Sequence, residues 1–168
     1  MTYERFEDTP AWQAAARLGV DVHILVDDRA FARCPDVRDQ LQRASLSVSN
    51  NIAEGFERGS TAEVIAFLYI ARGSAGEVRS ALRVASELPW LAQLRERMAA
   101  LIRKAEEISR QLRGWADSLQ NSDIRGQKHL NEETREAYRS VRRAEAFRDK
   151  LEEIKQRGRL QPPAEREQ

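Results

Sequence analysis

Apolar residues recur along the first 120 positions at steps of three and four, in four stretches separated by helix-breaking or helix-capping residues. The first stretch opens at Thr9-Pro10, an N-cap type followed by a proline at the first helical position, where its missing N–H costs nothing. Trp12, Ala15, Ala16, Leu18, Val22, Leu25 and Val26 then define one helical face. The helix is predicted to stop before Cys34-Pro35, because a residue preceding proline is pushed out of the α region. A second helix is predicted from Pro35 or Asp36 to Glu54, with the stripe Val37, Leu41, Ala44, Val48 and Ile52. Arg38, Gln42, Arg43, Ser45, Ser49 and Asn50 fall on its opposite face, and Gly55 is the expected C-terminal stop.

Ser60-Thr61-Ala62-Glu63 has the spacing of a capping box. The third helix behind it carries Val64, Phe67, Leu68, Ala71, Ala75, Val78, Leu82 and Ala85 and should end at Pro89. Its middle is unusually small, and two glycines inside a helix, Gly73 and Gly76, cost roughly 1 kcal/mol each relative to alanine. Close approach of a neighbouring helix would compensate. A fourth helix follows almost at once, with Leu91, Leu94, Met98, Leu101, Ile102, Ala105, Ile108, Leu112, Trp115 and Leu119. Such short connections make successive helices antiparallel neighbours. Four apolar stripes of this length must bury against one another. The expected fold is therefore all-α: an antiparallel up-and-down four-helix bundle over residues 1–120, with an additional C-terminal helix. In that last part, residues 121–130 read as a linker and 131–157 as a charged helix with Ala137, Val141, Ala144, Phe147, Leu151 and Ile154 on a narrow seam. Residues 158–168, with Pro162-Pro163, read as a disordered tail.

Charge sharpens this picture only locally. The net charge is +1, and splitting the chain after Gln120 gives 16 basic and 17 acidic residues before and 12 and 10 after. Neither part has the basic excess of a dedicated nucleic-acid binder. The basic residues are 24 Arg and 4 Lys; arginine suits bidentate contact with phosphate or carboxylate, and a biased genome composition gives the same excess. Arg72, Arg79 and Arg83 share a face of the third helix, and Arg103, Arg110 and Arg113 share one on the fourth. Such rows could follow a phosphate backbone. Interspersed Glu77, Glu87, Glu106 and Glu107 make ordinary ion pairing an equal reading.

Candidate chemistry is otherwise thin. His23 and His129 lie in different segments, with no Cys-x-x-Cys, His-Glu-x-x-His or Glu-x-x-His pattern, so no metal or other cofactor is expected. Cys34 has no histidine placed by the sequence to activate it, and no catalytic residue is assigned. Gly55 to Ser60 reads as a helix end followed by a cap. The N–H groups there could also hold an anion beside Arg58. No apolar run approaches the roughly 20 residues of a membrane span, the N-terminus lacks the apolar centre of a signal peptide, and a single cysteine fits a reducing compartment. A cytoplasmic protein without membrane or small-molecule partners is expected.

Three ordered blocks carry a resemblance: Phe6-Glu7-Asp8-Thr9-Pro10-Ala11-Trp12-Gln13; Leu41 to Phe56, with its Asn51-Ile52-Ala53-Glu54-Gly55 run; and Phe67-Leu68-Tyr69-Ile70-Ala71-Arg72-Gly73-Ser74. Together they resemble the four helix bundle protein family, also labelled S23 after members encoded in intervening sequences of bacterial 23S rRNA genes. This chain departs from the family pattern at Ser49, where proline is usual, and at Ala75 and Gly76, where bulkier residues are. The family includes accessory variability determinants of diversity-generating retroelements, homopentameric barrels of four-helix protomers that bind a reverse transcriptase and its RNA. The resemblance implies a ring-forming, non-catalytic accessory protein for a reverse transcriptase, RNA or cDNA. A homo-oligomeric interaction scaffold with no nucleic-acid role is the alternative. Arg38, Arg43, Arg72, Arg79, Arg83, Arg103, Arg110 and Arg113 are the candidate nucleic-acid contacts. Asn51, Glu54 and Gly55 are candidates for helix capping or a subunit interface, and Gly73 and Gly76 for a protomer contact.

Overall fold

A computed structural model describes residues 3–121, and within them the chain is all-helical. The expected linker beyond residue 121, the helix over 131–157 and the tail over 158–168 lie outside the described residues. Four α-helices follow one another: α1 (Pro10–Val26), α2 (Pro35–Arg58), α3 (Thr61–Ser86) and α4 (Arg95–Gln120). Helix α1 packs on α2 and α4, α2 on α3, and α3 on α4. Cross-helix pairs fix the directions. Gln40 meets Glu77 and Ser47 meets Ser74, so α2 and α3 run in opposite senses. Arg95 meets Ser86 and Arg79 meets Glu106, so α3 and α4 do as well.

The apolar stripes read from the sequence form the core. Leu18, Val22, Leu25, Leu41, Val48, Ile52, Leu68, Val78, Leu82, Met98, Ile108 and Leu112 are all buried. The helix starts also follow local chemistry. Thr9 Oγ1 accepts the Trp12 N–H at 3.3 Å and donates to the Phe6 carbonyl at 2.7 Å. Ser60 Oγ accepts the Glu63 N–H at 3.4 Å, which satisfies an otherwise orphaned donor at the helix start, and donates its own proton to the Glu63 carboxylate.

Five local expectations are corrected. Helix α1 ends at Val26 rather than running to Cys34. Asp28 Oδ1 accepts the Ala30 N–H at 2.9 Å and opens a 3₁₀ turn over Arg29–Arg33, which drives Phe31 fully into the core. Helix α2 passes through Gly55 and ends at Arg58, and Gly59, at φ 77°, makes the left-handed cap. Ser45 and Ser49 are buried instead of facing solvent; their hydroxyls donate to the carbonyls of Gln42 and Leu46, which removes the cost of burying them. Gly73 and Gly76 have nothing within 4 Å of an added Cβ, so no helix of the described chain approaches them closely. Finally, α4 begins at Arg95, because Pro89–Leu94 forms a 3₁₀ segment that buries Leu91 and Leu94. The two 3₁₀ connections meet where the Arg33 guanidinium lies 4.4 Å from the centre of the Trp90 ring.

Candidate nucleic-acid interface

Six of the eight candidate arginines converge on one seam. The pairs Arg79–Glu106 and Arg95–Ser86 set the register between α3 and α4. At 1.5 Å per residue, that register brings Arg83 about level with Arg103, and Arg72 about level with Arg110 and Arg113. Arg72, Arg79 and Arg83 therefore flank the same groove from α3 as Arg103, Arg110 and Arg113 do from α4. Arg38 and Arg43 are not part of it. Arg38 donates to Asp39 and lines a polar cavity of about 380 Å³ with His23, Asp27, Asp28 and Arg29 at the end of α1. Arg43 donates to Gln40 on the exposed side of α2.

The seam's charge is partly neutralised. Glu106 lies 3.8 Å from Arg79 and 3.9 Å from Arg110, and Arg113 lies 3.5 Å from Asp117. These are exposed or half-exposed pairs and contribute little to stability, about 0–1 kcal/mol each. Among the described residues no acidic partner stands within salt-bridge distance of Arg72, Arg83 or Arg103. Arg79 is the least satisfied of the row: its Nε is buried without a hydrogen-bond partner among the described residues, and its contact with Glu106 is longer than a hydrogen bond. That orphaned N–H is a local cost of the α3–α4 packing, and its burial keeps it out of reach of a ligand arriving from solvent.

Of Asn51, Glu54 and Gly55, Gly55 faces Phe67 of α3, whereas Asn51 and Glu54 bond to Ser47 and Arg58 of their own helix. Ser74 Oγ donates to the Ile70 carbonyl at 3.2 Å and lies 2.9 Å from Ser47 Oγ. Asn51 Nδ2 donates to Ser47 Oγ at 2.9 Å and to the Ser47 carbonyl at 2.7 Å. The hydroxyls thus hand on one proton direction, from Asn51 through Ser47 and Ser74 to Ile70. Glu54 accepts from Arg58 at 2.7 Å; this hydrogen bond holds the exposed Arg58 guanidinium above its ordinary pKa. Arg58 also lies 3.7 Å from Glu63 and 4.8 Å from the centre of the Phe67 ring. With its guanidinium so engaged, the turn into α3 serves as a cap.

The sequence blocks that carry the resemblance therefore touch in space. Gly55 backs onto Phe67, and Ser47 meets Ser74. Sequence reasoning missed Ser47 and Ser74, which present only small polar residues among other small residues. It also missed the part of Glu106 as a bridge between two arginines on different helices, which no spacing within one helix announces. Cys34 is buried and free. Among the described residues no group of three or more His, Cys, Asp or Glu side chains could hold a metal ion, and no helix is long and apolar enough to cross a membrane.

No curated protein matches the chain. The family model described as 23S rRNA-intervening sequence protein matches residues 7–114, from just before α1 into α4, and takes in all three motif blocks except Phe6. On that match, which covers well over half of the sequence, the chain belongs to the 23S rRNA-intervening sequence protein family.

Proposed function

We propose that this protein is a non-catalytic, homo-oligomeric accessory protein that binds a reverse transcriptase and its RNA or cDNA, as in a diversity-generating retroelement. In this reading its helices form an up-and-down bundle, five copies form the assembly, and it works in the cytoplasm. The observation that carries the proposal is the α3–α4 seam. Three arginines there, Arg72, Arg83 and Arg103, have no acidic partner among the described residues, where Arg79, Arg110 and Arg113 do. A groove flanked by guanidinium groups on both sides follows a phosphate backbone without reading sequence. Family membership supports the same direction.

The second reading is an oligomeric protein scaffold without nucleic acid. It is favoured by the acidic partners of Arg38, Arg79, Arg110 and Arg113, which leave less free positive charge than the sequence rows suggest. Light-scattering mass after size exclusion, without and with a structured RNA at low and moderate salt, separates the two. The accessory reading expects an assembly of five chains whose mass rises with RNA in a salt-sensitive way. An assembly that ignores RNA at low salt leaves the scaffold, and a monomer contradicts both.

A further inference from the structure

Two exposed helix faces carry apolar residues that the described chain does not cover. On α1, Arg17, Val20 and Ile24 follow at steps of three and four on the side away from the core, with Val20 60% and Ile24 58% exposed. On α3, Ile70, Gly73 and Glu77 follow at the same steps. Ile70 is 50% exposed, and the space above Gly73 is open. Glycine inside a helix loses stability relative to alanine, and no neighbour within the described chain uses the room it leaves.

We infer that the α1 face of one copy docks antiparallel on the α3 face of the next, with Arg17 opposite Glu77, Val20 seated in the notch at Gly73, and Ile24 against Ile70. Both triplets span seven residue steps, a rise of about 10.5 Å, so their ends coincide. Charge selects the direction. The antiparallel register pairs Arg17 with Glu77, whereas the parallel one sets Arg17 on Ile70 and Glu77 on Ile24, leaving each charge against an apolar side chain. Both groups are available for that pairing: among the described residues Arg17 has no ion pair, and Glu77 accepts only from the neutral Gln40 amide, at 3.1 Å. The occupant is a second copy because each face carries the complement of the other in charge and shape. Since the faces belong to different helices, the contact is head-to-tail, the kind that propagates to a closed ring or an open chain. The inference rests on the oligomeric reading above and adds the surfaces that build the assembly.

Charge exchange tests it, with the full-length protein, light-scattering mass over a dilution series, and circular dichroism to verify that the exposed substitutions keep the helical fold. Arg17→Glu and Glu77→Arg each place like charges across the contact and are expected to weaken association by about tenfold or more. The double exchange Arg17→Glu/Glu77→Arg restores an opposite pair and is expected to recover most of the wild-type association. Wild-type protein that assembles, with both single variants assembling equally well, overturns this interface and leaves the oligomeric reading standing. Wild-type protein that stays monomeric at every concentration overturns the interface and the oligomeric reading together.

Discussion

Gly55 of α2 faces Phe67 of α3 so closely that a Cβ on residue 55 would stand 2.6 Å from the Phe67 Cβ and 3.4 Å from the Val64 Cα. The run over residues 51–55 and the block over 67–74 thus meet where Gly55 backs onto Phe67. The glycine sits inside the last turn of α2, where a larger residue would press on α3.

Gly55→Ala is therefore expected to destabilise the protein, although alanine is the better helix former. The obstructing atom is a Cβ beside the backbone, so α3 itself must shift, and overpacking of this kind costs about 1–3 kcal/mol, more than the roughly 1 kcal/mol gained in helix propensity. Gly76→Ala is the control. Nothing stands within 4 Å of its added Cβ, and a gain of about 0.5–1 kcal/mol is expected. Urea unfolding of both variants checks the opposite signs.

The relay from Asn51 through Ser47 to Ser74 should behave as one unit. Ser47→Ala and Ser74→Ala each remove a link, and in a double-mutant cycle their coupling is expected at about 0.5–1.5 kcal/mol. Additive losses would show that the two hydroxyls contribute independently of their 2.9 Å contact.

Thr9 is 1% exposed, and its hydroxyl both caps α1 and holds the preceding turn. Thr9→Ala is expected to cost about 1–2 kcal/mol. Thr9→Ser keeps the hydroxyl and should lose much less. Thermal unfolding of the pair isolates the capping contribution from the methyl group.

Glu106 is the negative charge inside the basic seam, close to Arg79 and Arg110. Glu106→Gln leaves both guanidinium groups without that partner, and RNA affinity is expected to rise about two- to fivefold at low salt, as befits one exposed charge. Anisotropy titration reads it directly. Unchanged affinity would mean that RNA does not contact this seam.

The helices were legible because their stripes are long and regular, and the starts at Thr9 and Ser60 because their caps are local chemistry. The ends were harder. Gly55 and Gly59 both suit a helix stop, and only the position of Phe67 on another helix decides that the first is a packing glycine and the second the cap. Ser45 and Ser49 read as solvent-facing by residue type, yet a hydroxyl bonded to a carbonyl of its own helix can be buried. The arginine rows were visible on each helix separately. That α3 and α4 turn them toward one groove, with Glu106 between, depends on a register set by tertiary contacts such as Arg79–Glu106.

The most direct measurement is the salt dependence of RNA binding by the wild type beside an Arg72→Glu/Arg83→Glu/Arg103→Glu variant with unchanged helical content and assembly. The wild type is expected to bind a structured RNA at low salt with log affinity falling linearly as log salt rises. The variant should bind at least tenfold more weakly, with a slope reduced by about 0.7–0.9 for each phosphate it no longer neutralises. Equal affinity and slope for the two proteins, or no binding by the wild type at low salt, would contradict the seam as a nucleic-acid interface.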